Sequence, residues 1–147
     1  MRRSRKTQRS FRLLVIVLVT GLLTTGPTSA ALDETPAEET AAVEAYAEQL
    51  ESGNVEARRD AAYALAALGR DSLAALPELI NALGDRDEQV WMQSAMAIAR
   101  IGPLASDAAP ALIESLDSRS DQMRYRAAWA LGQLGPPVIP ALRDASK

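Results

Sequence analysis

Met123–Gly135, MRYRAAWALGQLG, is the last of three versions of one segment in this chain. Val90–Gly102, VWMQSAMAIARIG, stands 33 residues before it, and Ala57–Gly69, ARRDAAYALAALG, stands 33 before that. Asn54, Asp87 and Ser120 precede the three copies at the same interval, and all three are good N-cap residues. Gly69, Gly102 and Gly135 close them, where a helix end calls for a left-handed residue, and Pro103 and Pro136 follow two of these glycines. Between cap and glycine, apolar residues recur at helical spacing. They are Ala57, Ala61, Ala64, Leu65 and Leu68, then Val90, Ser94, Ala97, Ile98 and Ile101, then Met123, Ala127, Ala130, Leu131 and Leu134. These columns trace one apolar face of a helix.

A second family of helices fills the intervals. Leu76-Pro77-Glu78-Leu79-Ile80 is matched 33 residues later by Ala109-Pro110-Ala111-Leu112-Ile113, with Leu83 and Leu116 in the next shared column. The prolines fit only in a first helical turn, where the missing N–H costs little. Tyr46-Ala47 with Leu50 is the same segment one period earlier, and Ile139-Pro140-Ala141-Leu142 is a fourth copy reached by a shorter connection. Ahead of the first pair, Leu32–Glu39 is an acidic leader whose end starts a helix: Thr35 is the expected N-cap, Pro36 the first helical residue, and Glu38 completes a capping box. That helix is expected to run to about Glu51 and to bury Val43, Tyr46, Ala47 and Leu50. The expected fold is all-α, a right-handed α-solenoid of about three and a half helix pairs. The repeats are expected near residues 40–69, 72–102 and 106–135, with a partial fourth over 137–147.

Composition narrows the function. The 147 residues include no Cys and no His, which removes disulfides, Cys/His zinc sites and His-assisted nucleophiles. No cofactor is implied. Residues 1–12 hold six cations and no acid, which leaves ten cations against all 19 acids, a net −9 over the rest of the chain. So acidic a body is a poor match for nucleic acid, whose binding depends on neutralising phosphates. The basic start leads into the apolar run Leu13–Leu23, LLVIVLVTGLL, and then into Thr24–Ala31, TTGPTSAA, the layout of a secretory signal peptide. Cleavage after Ala30 or Ala31 fits the small residues there. The rival is a membrane anchor, but eleven helical residues span only about 16 Å of a hydrocarbon layer roughly 30 Å thick. The expectation is an exported protein, periplasmic or extracellular, without stable membrane insertion once residues 1–31 are removed.

In Leu116–Gly135 the pattern L-D-x-x-x-D-x-x-R-x-x-A-A-x-A-L-G-x-L-G behind a Pro-led helix resembles a HEAT repeat. The likeness is greatest to the short repeats of the phycobilin lyase type and covers about residues 40–147. It implies an α-solenoid, a fold that serves many partners, so it fixes no activity. It also implies that an arginine early in the second helix of a pair contacts the acidic inter-helix turn. Arg58 and Arg124 match that position, and Trp91 replaces it in the middle repeat. HEAT-like enzymes that hold iron through His-Glu pairs are not matched by a His-free chain, and lyase chemistry is not carried over.

At 100° per residue, three columns lie opposite the core face: Arg59, Met92 and Tyr125; Tyr63, Met96 and Trp129; and Ala66, Ala99 and Gly132. Second helices line the concave surface of such arrays. An aromatic and methionine strip there, over a floor of small residues, suits a peptide or partner helix. The same side chains could instead cover seams between neighbouring helices, which Ala62, Ala95 and Ala128 bring close together. Trp91, between the columns of Arg58 and Arg124, is either an exposed interface residue or a ring lying over the adjacent turn. Asp85, Asp87 and Glu88 lack the glycine and distal glutamate of a helix–loop–helix calcium site. The expected function is therefore a non-enzymatic scaffold that binds another protein or peptide through Arg59, Tyr63, Trp91, Met92, Met96, Tyr125 and Trp129, or through its open C-terminal end. The alternative is an enzyme accessory that holds a small apolar ligand between the second helices. Self-association through the last helix is a further expectation, because nothing follows that helix to cover it.

Overall fold

The computed structural model describes residues 36–146, with side chains from Thr40 onward. The expected signal segment 1–31 lies outside the described residues, and the acidic leader enters them only as the opening turn of a helix. The elements in chain order are α1 (Pro36–Leu50), α2 (Val55–Leu68), α3 (Leu76–Ala82), α4 (Glu88–Ile101), α5 (Ala109–Glu114), α6 (Asp121–Leu134) and α7 (Ile139–Ala145). Short 3-10 stretches, Gly69–Ala75, Gly102–Ala108 and Pro136–Val138, lead from the second helix of one pair to the first helix of the next. Among the described residues there is no strand. Residues Val43–Lys147 form one compact unit; of the other, Met1–Ala42, only the beginning of α1 is described.

Each second helix starts where a short polar side chain takes up the free N–H groups of its first turn. Asn54 Oδ1 accepts from Glu56 N at 2.9 Å, Asp87 Oδ1 from Gln89 N and Val90 N at 3.2 and 3.1 Å, and Ser120 Oγ from Met123 N at 3.4 Å. Each stops at a glycine with positive φ: 62° at Gly69, 76° at Gly102 and 69° at Gly135. A side chain at these positions would strain the backbone, which explains the strict recurrence of glycine there. Pro77, Pro110 and Pro140 all fall in the first turn of α3, α5 and α7, where a proline breaks no hydrogen bond.

The apolar columns form the core. Ala61, Ala64, Leu65 and Leu68, Val90, Ala97, Ile98 and Ile101, and Ala127, Ala130, Leu131 and Leu134 are all buried, facing Leu79 and Leu112 of the first helices. Burying each large aliphatic side chain contributes roughly 1.5–3 kcal/mol. The second helices also pack on one another, α2 against α4 and α4 against α6, while α7 continues the row of first helices by packing on α5. This second set of contacts buries Ala62 and Ala66 on α2, and Ala95 and Ala99 on α4. The small residues at 66 and 99 are therefore helix–helix contacts, not the floor of an open groove. No helix among the described residues is long and apolar enough to cross a membrane.

Candidate protein-binding surface

The expected strip divides into buried and exposed members. Tyr63 is 50% exposed, Tyr125 71% and Trp129 36%, whereas Met92 and Met96 are half-buried. Tyr63, Met96 and Trp129 follow one another down the second helices, with Tyr125 one turn before Trp129 on α6. Three large rings thus stay in water on α2 and α6, and two methionines lie between them on α4. Met92 also takes part in a contact between repeats, since Gln122 Nε2 approaches its sulfur at 3.1 Å.

Trp91 is not exposed: its side chain is fully buried, so it cannot meet a partner from the surface. The reason lies in what its column faces. One repeat earlier, Arg58 turns toward the turn before α4 and donates from Nε and Nη2 to Asp85 at 2.7 and 3.2 Å, while Nη1 donates to the Ser52 carbonyl at 3.0 Å. The column of Asp85 holds Ser118 in the next repeat, and an arginine there would have no carboxylate to meet. Trp91 fills that place with an apolar ring instead, leaving its Nε1 without a hydrogen-bond acceptor.

Arg59 is engaged within the chain, though its side chain stays 39% exposed. Its Nε and Nη2 donate to both oxygens of Asp87 at 3.0 and 2.7 Å, and Nη1 donates to Glu56 at 2.9 Å. Asp87 is pulled down to about 2, first by the hydrogen bonds from Arg59, which outweigh the opposing effect of burial, with the N–H groups of Val90 and Gln89 adding to the shift. Asp85 is lowered too, chiefly by Arg58. Asp87 N donates to Asp85 Oδ1 at 2.8 Å, which ties both carboxylates to one turn. Asp85 and Asp87 are thus the acceptors of an electrostatic clamp between the first and second repeats. The acid-containing turn implied by the resemblance is present for Arg58; for Arg124 the turn supplies the Ser118 carbonyl, at 2.8 Å from Nη1.

A cleft of about 270 Å³ opens elsewhere, lined by Val43, Glu44, Ala47, Glu48 and Glu51 of the first pair with Ala74 and Glu78 of the second. Its rim is mostly carboxylate, and it lies away from the second helices. Among the described residues, no group of three His, Cys, Asp or Glu side chains is placed to hold a metal ion.

A family model described as HEAT repeats matches residues 43–132 and 76–147. The chain belongs to the HEAT-repeat family. Among curated proteins there is no match. Among solved structures, a crystal structure described as an engineered protein is similar to this HEAT chain with a TM-score of 0.65 at 23% identity. The similarity covers 96% of this chain and 61% of that one, so the chain spans less than two thirds of the engineered protein's length. At that identity the likeness shows the HEAT-type fold alone.

Of the seven residues singled out by sequence, Tyr63, Tyr125 and Trp129 stand exposed on the HEAT second helices, Met92 and Met96 are half-buried, and Arg59 and Trp91 belong to the junctions between repeats. The clamp acceptors Asp85 and Asp87 were visible in the sequence as the acids that shadow Arg58 and Arg59 one repeat later. That signal appears only when a helix is compared with the turn of the following repeat.

Proposed function

We propose that this chain is an exported, non-enzymatic HEAT scaffold that binds another protein or peptide. The observation that carries this reading is the set of exposed rings, Tyr63, Tyr125 and Trp129, on second helices whose core faces are covered. Aromatic side chains left in water at this density are interface composition, since they offer a large contact area at small cost in conformational entropy. Export rests on the basic, apolar and small-residue succession over residues 1–31. The reading as a holder of a small apolar ligand is less well supported, because Ala66 and Ala99, which would line such a site, are closed by neighbouring helices.

Both parts have direct tests. Affinity capture of the chain from the envelope fraction of its native host, followed by the same capture with Tyr63→Ala and with Trp129→Ala, should yield a protein that is lost in both variants. A captured protein equally retained by both would overturn the assignment of binding to these rings, and a co-purifying small molecule in place of any protein would overturn the protein-binding reading. Mass spectrometry of the chain from the same fraction should show it beginning at Ala31 or Leu32; an intact Met1 in that fraction would instead mark residues 13–23 as an anchor.

A further inference from the structure

We infer that Met92 and Met96 form a reversible oxidation site at the joint between α4 and α6, and that their sulfoxides loosen this joint while leaving the one between α2 and α4 intact. The chain holds no Cys, so thioethers are its only sulfur. Its four methionines are Met1, Met92, Met96 and Met123; α2 has none, and two lie one turn apart on α4. Both of these are half-buried. α4 packs against a second helix on either side, so their remaining exposure belongs to the interior of the array. Nothing in this site depends on a bound partner.

The two joints use one column differently. On α2 the column holds Arg59, whose guanidinium donates to both oxygens of Asp87 in the next turn at 3.0 and 2.7 Å. On α4 it holds Met92, and the next turn carries Ser120 in place of Asp87. Polar contacts across this second joint run from Ser120 Oγ to Glu88 at 3.3 Å and from Gln122 Nε2 to the Met92 sulfur at 3.1 Å. A thioether is a weak acceptor and 3.3 Å is long for a hydroxyl, so the joint rests mainly on apolar contact. Met96 stands one turn further on, and among the described residues no hydrogen-bond donor meets its sulfur.

The oxidant is of the peroxide class. A sulfur lone pair attacks one peroxide oxygen, and the O–O bond breaks as the S–O bond forms. The departing hydroxide takes up the proton of the transferred hydroxyl and leaves as water. Sulfur loses two electrons and becomes a sulfoxide, while the peroxide gains them. The product is polar where the thioether was apolar. At Met92, an oxygen set toward Gln122 needs about 2.9 Å to the amide nitrogen. That is nearly the whole of the present gap between sulfur and nitrogen, so Gln122 has to withdraw from α4. At Met96 the sulfoxide finds no donor and has to be hydrated, which opens the seam to water. A peroxide leaves arginine–carboxylate pairs untouched, so Arg58 and Arg59 keep α2 on α4. Methionine sulfoxide reductases return the thioether, taking two electrons from a dithiol and releasing the oxygen as water.

The full chain is treated with hydrogen peroxide, mapped by peptide mass spectrometry and melted. One added oxygen is expected at Met92 and at Met96 in the folded protein. The melting midpoint should fall by about 4–8 °C, and amide exchange should quicken in α6 but not in α2. Met92→Leu combined with Met96→Leu keeps the side-chain volume and should hold its midpoint through the same treatment. Reduction of the oxidised wild-type chain, by methionine sulfoxide reductases of both epimer specificities with dithiothreitol, should restore the midpoint. No added oxygen at Met92 or Met96 in the folded chain, or an oxidised chain with an unchanged midpoint, overturns the site. So does an equal fall in the double leucine variant, which would assign the damage to Met123 or to an aromatic ring. A fall that reduction leaves in place overturns reversibility, and exchange that quickens equally in α2 and α6 overturns the confinement to one joint.

Discussion

At the scale of single residues, Ser94 is the misfit in an otherwise uniform core. It occupies the column of Ala61 and Ala127, is fully buried, and its Oγ has no hydrogen-bond partner. A hydroxyl removed from water without compensation destabilises the folded state. Ser94→Ala is therefore expected to raise stability, by up to roughly 1 kcal/mol in urea unfolding. A loss of stability would show that the hydroxyl is satisfied after all, by a buried water. Trp91 poses the reverse case, a ring expected near the surface and found buried. Counting 100° per residue places it off the core face of its own helix, and that placement is sound for a helix buried on one side. The second helices here are buried on two sides, against the first helices and against each other. A single-helix periodicity has no information about the second contact. Ser118 held the missing clue, because a serine in the column of Asp85 removes the reason for an arginine at 91.

At the scale of elements, the helices differ in what holds them. In α6, Leu131 and Leu134 are buried toward α5, which carries the fully buried Leu112. Leu131→Ala should cost roughly 2–5 kcal/mol, the range for truncating a buried leucine. Arg119→Ala, on the exposed turn before α6, should stay within about 0.5 kcal/mol. Equal shifts in the two urea midpoints would mean that the register of α6 has been misassigned. α7 is the opposite extreme. It spans seven residues, none of them buried, and leaves Ile139 and Leu142 exposed. A helix of that length has little stability of its own. Amide hydrogen exchange should therefore run much faster in Ile139–Ala145 than in α4, and protection equal to that of α4 in the dilute protein would make α7 an ordinary cap. The starts and stops of the second helices were legible in the sequence, since Asn54, Asp87 and Ser120 cap through bonds within a few residues, Gly69 and Gly102 terminate in the same way, and Gly135 shares their positive φ. The 3-10 stretches after Gly69 and Gly102 were not, because they depend on how the next first helix is drawn back onto the pair.

At the scale of the whole molecule, the two junctions between successive second helices use different chemistry. The first is electrostatic, with Arg58 and Arg59 on Asp85 and Asp87; the second is built from Trp91, Met92 and small polar side chains. The first holds the two carboxylates whose pKa is lowered. The carboxylate of Asp87 sits at about 2 in the folded chain against an ordinary 3.8, so the unfolded chain binds the proton first as pH falls. Its stabilisation is complete above about pH 4 and is lost as pH drops from there through about 2. Asp85 shifts in the same direction. Across that window the melting midpoint of the wild-type chain should fall further than that of Asp87→Asn, in which asparagine keeps the helix cap but carries no proton to gain. Parallel curves would show that the clamp adds nothing to stability. The repeat architecture and its core were readable from one sequence because every copy restates them. The exposed rings were readable only in part, since whether a residue opposite the core meets water depends on the neighbouring repeat. The unlike junctions bear, finally, on how the chain finds its own order while folding. Near-identical modules in one polypeptide risk pairing out of sequence, with α2 docking on α6 and skipping α4. Such a slip would set Arg58 and Arg59 against Ser118 and Ser120 and leave Asp85 and Asp87 without their cations. Two desolvated carboxylates and two stranded guanidinium groups make that misassembly a poor competitor. Each module therefore carries a mark of its position in the array, written in the side chains at its edge.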